Sequence, residues 1–186
     1  MSRRLSCLAL GSMVMLSACQ LVDTAKIKHV SETKLTQKNA LIYCAGTQNC
    51  EFERLNDIRI VDAERHRVYR EAIRAGILRL QERHVRKDNA LYLSIPEAQH
   101  ELVVRFYPVS PQKAETLHLI HRFKAQQHYT LSMYRQPRKQ TQRSLLKRSA
   151  PEPLCVDLKQ QRITIRRFCK QHDALSGHSE FVEQKI

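Results

Sequence analysis

Between residues 90 and 135 the chain alternates apolar and polar side chains with a period of two. Leu91, Leu93 and Ile95 alternate with Tyr92 and Ser94. Leu102, Val104 and Phe106 alternate with Val103, Arg105 and Tyr107, and Tyr129, Leu131 and Met133 with Thr130, Ser132 and Tyr134. A further run spans Glu115 to Phe123. Successive side chains of a strand point to opposite faces, so this pattern predicts an antiparallel sheet with one buried face. Pro96-Glu97-Ala98-Gln99, Pro108 to Lys113 and Ala125-Gln126-Gln127 separate the runs and predict turns. Upstream, Leu41-Ile42-Tyr43-Cys44 and Cys50-Glu51-Phe52-Glu53-Arg54 predict a hairpin around Ala45 to Asn49, with Ile58 to Val61 continuing the sheet. Leu154 to Leu158 and Ile163 to Cys169 predict a last hairpin.

The period becomes helical after Asp62, a plausible N-cap with Glu64 in the first turn. Tyr69, Ile73, Ile77 and Leu80 share one face of a helix predicted over residues 63–82. Arg67, Arg70 and Arg74 make that helix basic, and its expected place is packed on its own domain. The expected fold class is therefore α+β, mainly β: a small antiparallel β-sandwich-like domain with one packed amphipathic helix. It covers residues 39–170 and includes a basic loop, 136–153, marked by prolines at 137, 151 and 153. Residues 171–186 read as a polar tail.

The start of the chain follows another pattern. Arg3 and Arg4 precede a short apolar run from Leu5 to Leu16, followed by small residues and a cysteine. The run is too short to span a bilayer, which takes about 20 residues. Leu16-Ser17-Ala18-Cys19 resembles the lipobox of bacterial lipoproteins. The resemblance implies that residues 1–18 are a cleaved signal peptide and that Cys19 becomes an acylated N-terminus, with residues 19–38 as a lipidated flexible tether. Two acyl chains already give stable attachment to a membrane. Gln20 stands where an aspartate marks retention in the inner membrane, so the resemblance implies an outer-membrane, periplasm-facing location. The whole chain is similar to small lipoproteins of gammaproteobacteria.

Charge changes the picture next. The formal net charge of +14 falls by two, to +12, when residues 1–18 leave with Arg3 and Arg4. Such a surface attracts polyanions. In an envelope the expected partners are lipopolysaccharide, peptidoglycan or an envelope protein; nucleic acid is not expected in an exported chain. Arg135, Arg138, Lys139, Arg143, Lys147 and Arg148, with Arg162, Arg166, Arg167 and Lys170, concentrate positive charge late in the sequence. They form a candidate anion-binding patch, since guanidinium forks bind phosphate in two-point fashion.

Cys7 leaves with the signal, and Cys44, Cys50, Cys155 and Cys169 remain besides Cys19. In an oxidising compartment four cysteines imply two disulfides with three possible connectivities. Cys44–Cys50 and Cys155–Cys169 are expected because each pair brackets a predicted turn; pairing between the two ends of the chain stays open. Neither pair has the CxxC spacing of a zinc knuckle.

Enzymatic motifs are weak. Ser144-Leu145-Leu146-Lys147 matches the SxxK element of penicillin-recognising enzymes, but Ser31-Glu32-Thr33-Lys34 matches it too, and the partner motifs Ser-Asp-Asn and Lys-Thr-Gly are missing. His118 and His121 fall on a predicted strand, where odd spacing sends them to opposite faces. No catalytic residue, metal ligand or cofactor is assigned, and the expected role is a non-enzymatic structural or binding module. The alternative is an envelope hydrolase whose site is not recognisable from sequence.

Two segments carry a second resemblance. Ile95-Pro96-Glu97-Ala98-Gln99-His100-Glu101-Leu102-Val103-Val104 is similar to the first hairpin of PEGA-like envelope domains, with Gln99 in place of the turn glycine. Phe123-Lys124-Ala125-Gln126-Gln127-His128-Tyr129-Thr130-Leu131 resembles their later hairpin. The resemblance implies a small β-sandwich module and no activity.

Mass spectrometry of the mature chain is expected to find Cys19 N-terminal and acylated, and Cys19→Ser to leave residues 1–18 attached. A chain that keeps residues 1–18 with a free Cys19 thiol would overturn the lipobox reading.

Overall fold

The structure is a computed structural model and describes residues 27, 32–45, 49–81, 89–137, 151–170 and 180–186. Cys19, Ser144 and the patch residues Arg138, Lys139, Arg143, Lys147 and Arg148 lie outside the described residues, as does most of the predicted loop 136–153.

The strands are β1 (Ala40–Ala45), β2 (Cys50–Leu55), β3 (Ile58–Arg59), β4 (Leu78–Leu80), β5 (Leu91–Ile95), β6 (Ala98–Ser110), β7 (Lys113–Phe123), β8 (His128–Arg135), β9 (Leu154–Gln160), β10 (Ile163–Lys170) and β11 (Val182–Gln184). A short helix, α1 (Arg70–Arg74), lies between β3 and β4. A seven-stranded sheet has the order β11-β10-β9-β8-β1-β5-β4, and a four-stranded sheet the order β3-β2-β6-β7. The fold is mainly β, as the alternation predicts, and α1 is short. Among the described residues the strand pairs are antiparallel except one: β1 runs parallel to β8 and antiparallel to β5.

The alternation decides which side chains face inward. Ile42, Leu93, Tyr129, Leu131, Val156 and Leu158 from the larger sheet join Phe52, Leu102, Val104, Phe106, Leu117 and Leu119 from the smaller one in one buried cluster. Each such side chain contributes about 1.5–3 kcal/mol by leaving water.

Several expectations are corrected. The segments at 45–49, 96–99 and 125–127 do not close hairpins; β1 and β2, β5 and β6, and β7 and β8 lie in different sheets. Alternation records that a strand has one buried face, and a strand in either sheet satisfies it. The connections at 96–97 and 124–127 carry the chain from one sheet to the other, and they meet where the Ala125 amide donates to Glu97 Oε2 at 3.3 Å. The true hairpins include β6–β7 and β9–β10.

The helix predicted over 63–82 contracts to Arg70–Arg74, and Leu78–Leu80 is strand. Gly76, at φ 65°, ends the helical stretch, and Leu78 and Leu80 then pair with Leu93 and Leu91. Pairing gives the backbone partners beyond that glycine, which outweighs the helical spacing of Ile77 and Leu80. Asp62 caps a turn instead, accepting from the amides of Glu64 and Arg65 at 3.0 and 2.8 Å.

The predicted tether and tail also change where they are described. Ile27 is buried in the core cluster, Thr36–Lys38 forms a 3₁₀ turn, and Glu32 accepts from the buried Arg79 guanidinium at 3.1 Å. Residues 182–184 are not loose tail but an edge strand on β10.

Both local disulfides are formed. Cys155–Cys169 joins directly opposed residues of β9 and β10, with Cα atoms 4.1 Å apart. Cys44–Cys50 joins β1 to β2, so it links the two sheets across the core, with Cα atoms 6.3 Å apart. Loop closure makes the first worth about 3 kcal/mol and the second about 2 kcal/mol. Thiol titration of the unfolded, unreduced chain is expected to find none of these four cysteines reactive. Urea unfolding of the Cys155→Ala/Cys169→Ala variant should show a loss of roughly 3 kcal/mol; an unchanged midpoint would refute the entropic account.

Candidate functional site

The outward face of the seven-stranded sheet carries an open arrangement of functional side chains. Outward positions on β1 are Leu41 and Tyr43, and register places them opposite His128 and Thr130 of β8. Tyr43 stacks on Tyr92 of β5, ring centroids 5.1 Å apart and planes 20° apart, and the His128 ring lies 6.1 Å from Tyr43. Burial, and then the neighbouring Tyr92, push the Tyr43 hydroxyl above its ordinary pKa, so it stays a neutral donor.

Gln161 and Arg162 form the two-residue turn between β9 and β10, with φ of 46° and 78°. Two positive φ values at the centre of a two-residue loop match the turn that favours Asn-Gly. A side chain costs about 1 kcal/mol per residue in that region. Hydrogen bonding of the Gln161 amide to the His128 carbonyl, at 2.9 Å, fixes the turn against β8. Tyr43, His128, Thr130, Gln161 and Arg162 then line a groove of about 480 Å³. Among the described residues it is lined by an aromatic ring, an imidazole, hydroxyl and amide groups and a guanidinium, and by no carboxylate.

A second concavity, about 360 Å³, lies beside β2 and β3 and is lined by charges of both signs. Those charges are largely engaged within the chain. Arg54 pairs with Glu101, Arg59 lies over the Tyr69 ring at 4.5 Å, and Asp62 accepts from Tyr69 at 2.8 Å.

Two buried ionic networks are structural. Asp157, almost fully buried, accepts from Arg167 Nε and Nη2 at 2.7 and 2.9 Å, from Tyr134 at 3.1 Å and from Thr164 at 3.2 Å. On the smaller sheet Glu51 accepts from Tyr107 at 2.7 Å, lies 2.9 Å from His66 Nδ1, and pairs with Arg105 at 3.3 Å. Arg105 Nε approaches Glu53 at 3.3 Å, but its N–H is not aligned for a hydrogen bond.

The predicted arginine patch is thus partly committed inside the fold. Arg167 belongs to Asp157. Arg166 makes a two-point bond to Glu183, both contacts 2.7 Å, and donates to the Ile120 carbonyl at 2.6 Å. Arg135 donates to the Glu152 carbonyl at 3.3 Å. An anion would have to displace a carboxylate to reach Arg166 or Arg167. His118 is exposed, whereas His121 faces inward beside Phe123 and Tyr129. Burial, with Arg166 nearby, holds the His121 imidazole below its ordinary pKa. Among the described residues no group of three His, Cys, Asp or Glu side chains is placed to hold a metal.

Sequence reasoning did not single out Tyr43, Tyr92, Thr130 or Gln161. The signal was present: aromatic residues on the polar side of two alternating strands, and Gln-Arg in a two-residue hairpin loop. No protein family model matches the chain, and neither a curated protein nor a solved structure matches it.

Burial works to raise the Asp157 carboxyl, but its hydrogen bonds, chiefly from Arg167, hold it below the ordinary 3.8. A depressed carboxyl stabilises the fold above its unfolded pKa, and that stabilisation is lost as pH falls through the folded value. Asp157→Asn is therefore expected to cost about 2 kcal/mol at pH 7 and less near pH 3. Urea unfolding at both pH values checks this, and an equal loss at both would contradict it.

Proposed function

We propose that this protein is an outer-membrane lipoprotein, anchored through acylated Cys19, that faces the periplasm and binds an anionic envelope component without catalysing a reaction. The anchor rests on the lipobox resemblance. The binding role is carried by one observation: how the fold uses its acidic side chains. Glu32, Glu51, Glu53, Glu101, Glu115, Asp157 and Glu183 are each engaged by a lysine or arginine of the chain. Arg65, Arg67, Arg70, Arg74, Arg122 and Arg162 stay exposed and outside those pairs. Asp57, Glu64, Glu71, Glu97, Glu152 and Glu180 are exposed as well, so the surplus rests on the sequence's 32 Lys and Arg against 18 Asp and Glu.

Uncompensated surface charge attracts phosphate- or carboxylate-bearing polymers over roughly a Debye length, about 10 Å at 0.1 M salt. Lipopolysaccharide and peptidoglycan both carry such groups.

Co-sedimentation of the mature chain with peptidoglycan sacculi, or its capture by immobilised lipopolysaccharide, should weaken roughly tenfold between about 0.05 M and about 0.3 M salt. Binding that salt leaves unchanged, or no binding to either material, would sink this proposal.

A further inference from the structure

The groove between Tyr43 and the Gln161-Arg162 turn has features that net charge does not require. A basic surface needs no aromatic floor and no strained loop. Here Tyr43 is held flat against Tyr92 with its planes 20° apart, which fixes the ring before any ligand arrives. His128 and Thr130, on the adjacent strand, supply short-range polar groups at the side of that ring. Arg162 stands at the lip, in a backbone region where glycine would be favoured, and belongs to no ion pair among the described residues. A guanidinium outside the ion pairs, carried on a backbone outlier, motivates a functional reading.

Each component selects a ligand property. A preformed aromatic face stacks against the C–H face of a sugar ring. Hydroxyl, imidazole and amide groups around it match a ring of hydroxyls and acetamido groups. A guanidinium fork takes a carboxylate or phosphate by two points. Among the described residues the lining has no carboxylate, which disfavours cations. A volume of about 480 Å³ lies within the range of small-ligand sites, about 300–1,000 Å³. We infer that this groove is a saccharide site for an amino sugar carrying an anionic substituent, with the ring on Tyr43 and the anion on Arg162. The inference deepens the envelope-binding proposal and rests on it for the source of the sugar, though not for the groove's chemistry.

The experiment uses the mature chain in detergent and three soluble probes: a muramic-acid disaccharide, a phosphorylated glucosamine disaccharide and neutral chitobiose. Titration followed by NMR shifts of the tyrosine rings should show both anionic probes binding at least about tenfold more tightly than chitobiose; whichever binds better identifies a peptidoglycan or glycolipid source. Arg162→Gly removes the guanidinium while easing the turn. It should raise Tm by a few degrees and erase the preference for the anionic probes. Tyr43→Leu should weaken all three probes by roughly tenfold or more, in line with the loss of an aromatic stack.

Equal affinity of the wild-type chain for charged and neutral probes, or no binding of any probe, overturns the inference. So does an Arg162→Gly variant that keeps the preference. If both variants hold sacculi or lipopolysaccharide as tightly as the wild type, the envelope reading stands and the groove assignment falls. If the wild type binds the anionic probes through Tyr43 and Arg162 but neither envelope material, the groove assignment stands and the envelope reading falls.

Discussion

Strand β1 holds this architecture together. It lies between β8 and β5, parallel to one and antiparallel to the other, and so joins the β4–β5 half of the larger sheet to the β8–β11 half. Its inward side chains Ala40, Ile42 and Cys44 are buried, and Cys44 crosses the core to β2. Its outward side chain Tyr43 is the floor of the candidate groove. Sheet continuity, sheet-to-sheet attachment and the proposed ligand surface therefore converge on six residues. Their strict alternation lets one short segment do all three.

The electrostatics follow from the same two-sided construction. Buried acids on the outer faces need cations close by, and the chain supplies arginines from the neighbouring strand. Asp157 meets Arg167 directly across β9 and β10, and Glu51 meets Arg105 directly across β2 and β6. Such pairs resist removal of either partner more than they add net stability, because a lone buried charge is what is expensive. Each pair takes a base out together with its acid, so the excess of Lys and Arg over Asp and Glu passes almost unchanged to the rest of the chain.

Local periodicity made most of the strands legible. His128–Arg135 forms strand as the alternation of Tyr129, Leu131 and Met133 predicts, and Cys155 pairs with Cys169 across a real hairpin. The choice of partner was not legible. A turn such as Pro96-Glu97 has the same local composition whether it reverses a strand in its own sheet or passes it to the facing one. The parallel pairing of β1 with β8 joins residues far apart in sequence, and nothing near residue 42 announces Tyr129. Helical spacing misled at Ile77 and Leu80, where pairing with β5 after Gly76 prevailed. The groove was hidden for the same reason: Tyr43 meets Thr130 through the long-range β1–β8 pairing, and the β9–β10 turn bonded to β8 brings Arg162 to them. The arginine patch shows the converse, since closeness in sequence put Arg166 and Arg167 together while the fold gave each its own carboxylate.

The parallel register between β1 and β8 has a mechanical consequence. A pull on the N-terminal side of Ala40, directed along the strand, loads the pairs from Leu41–His128 to Ala45–Ser132 together. Strands sheared in this way resist through all their bonds at once, whereas a strand peeled from its end gives way one bond at a time. Ile27 in the core and the Glu32–Arg79 pair lie upstream and would meet the force first. A chain held by its N-terminus while its ligand is fixed to a moving polymer would be loaded in the direction in which this sheet is hardest to open.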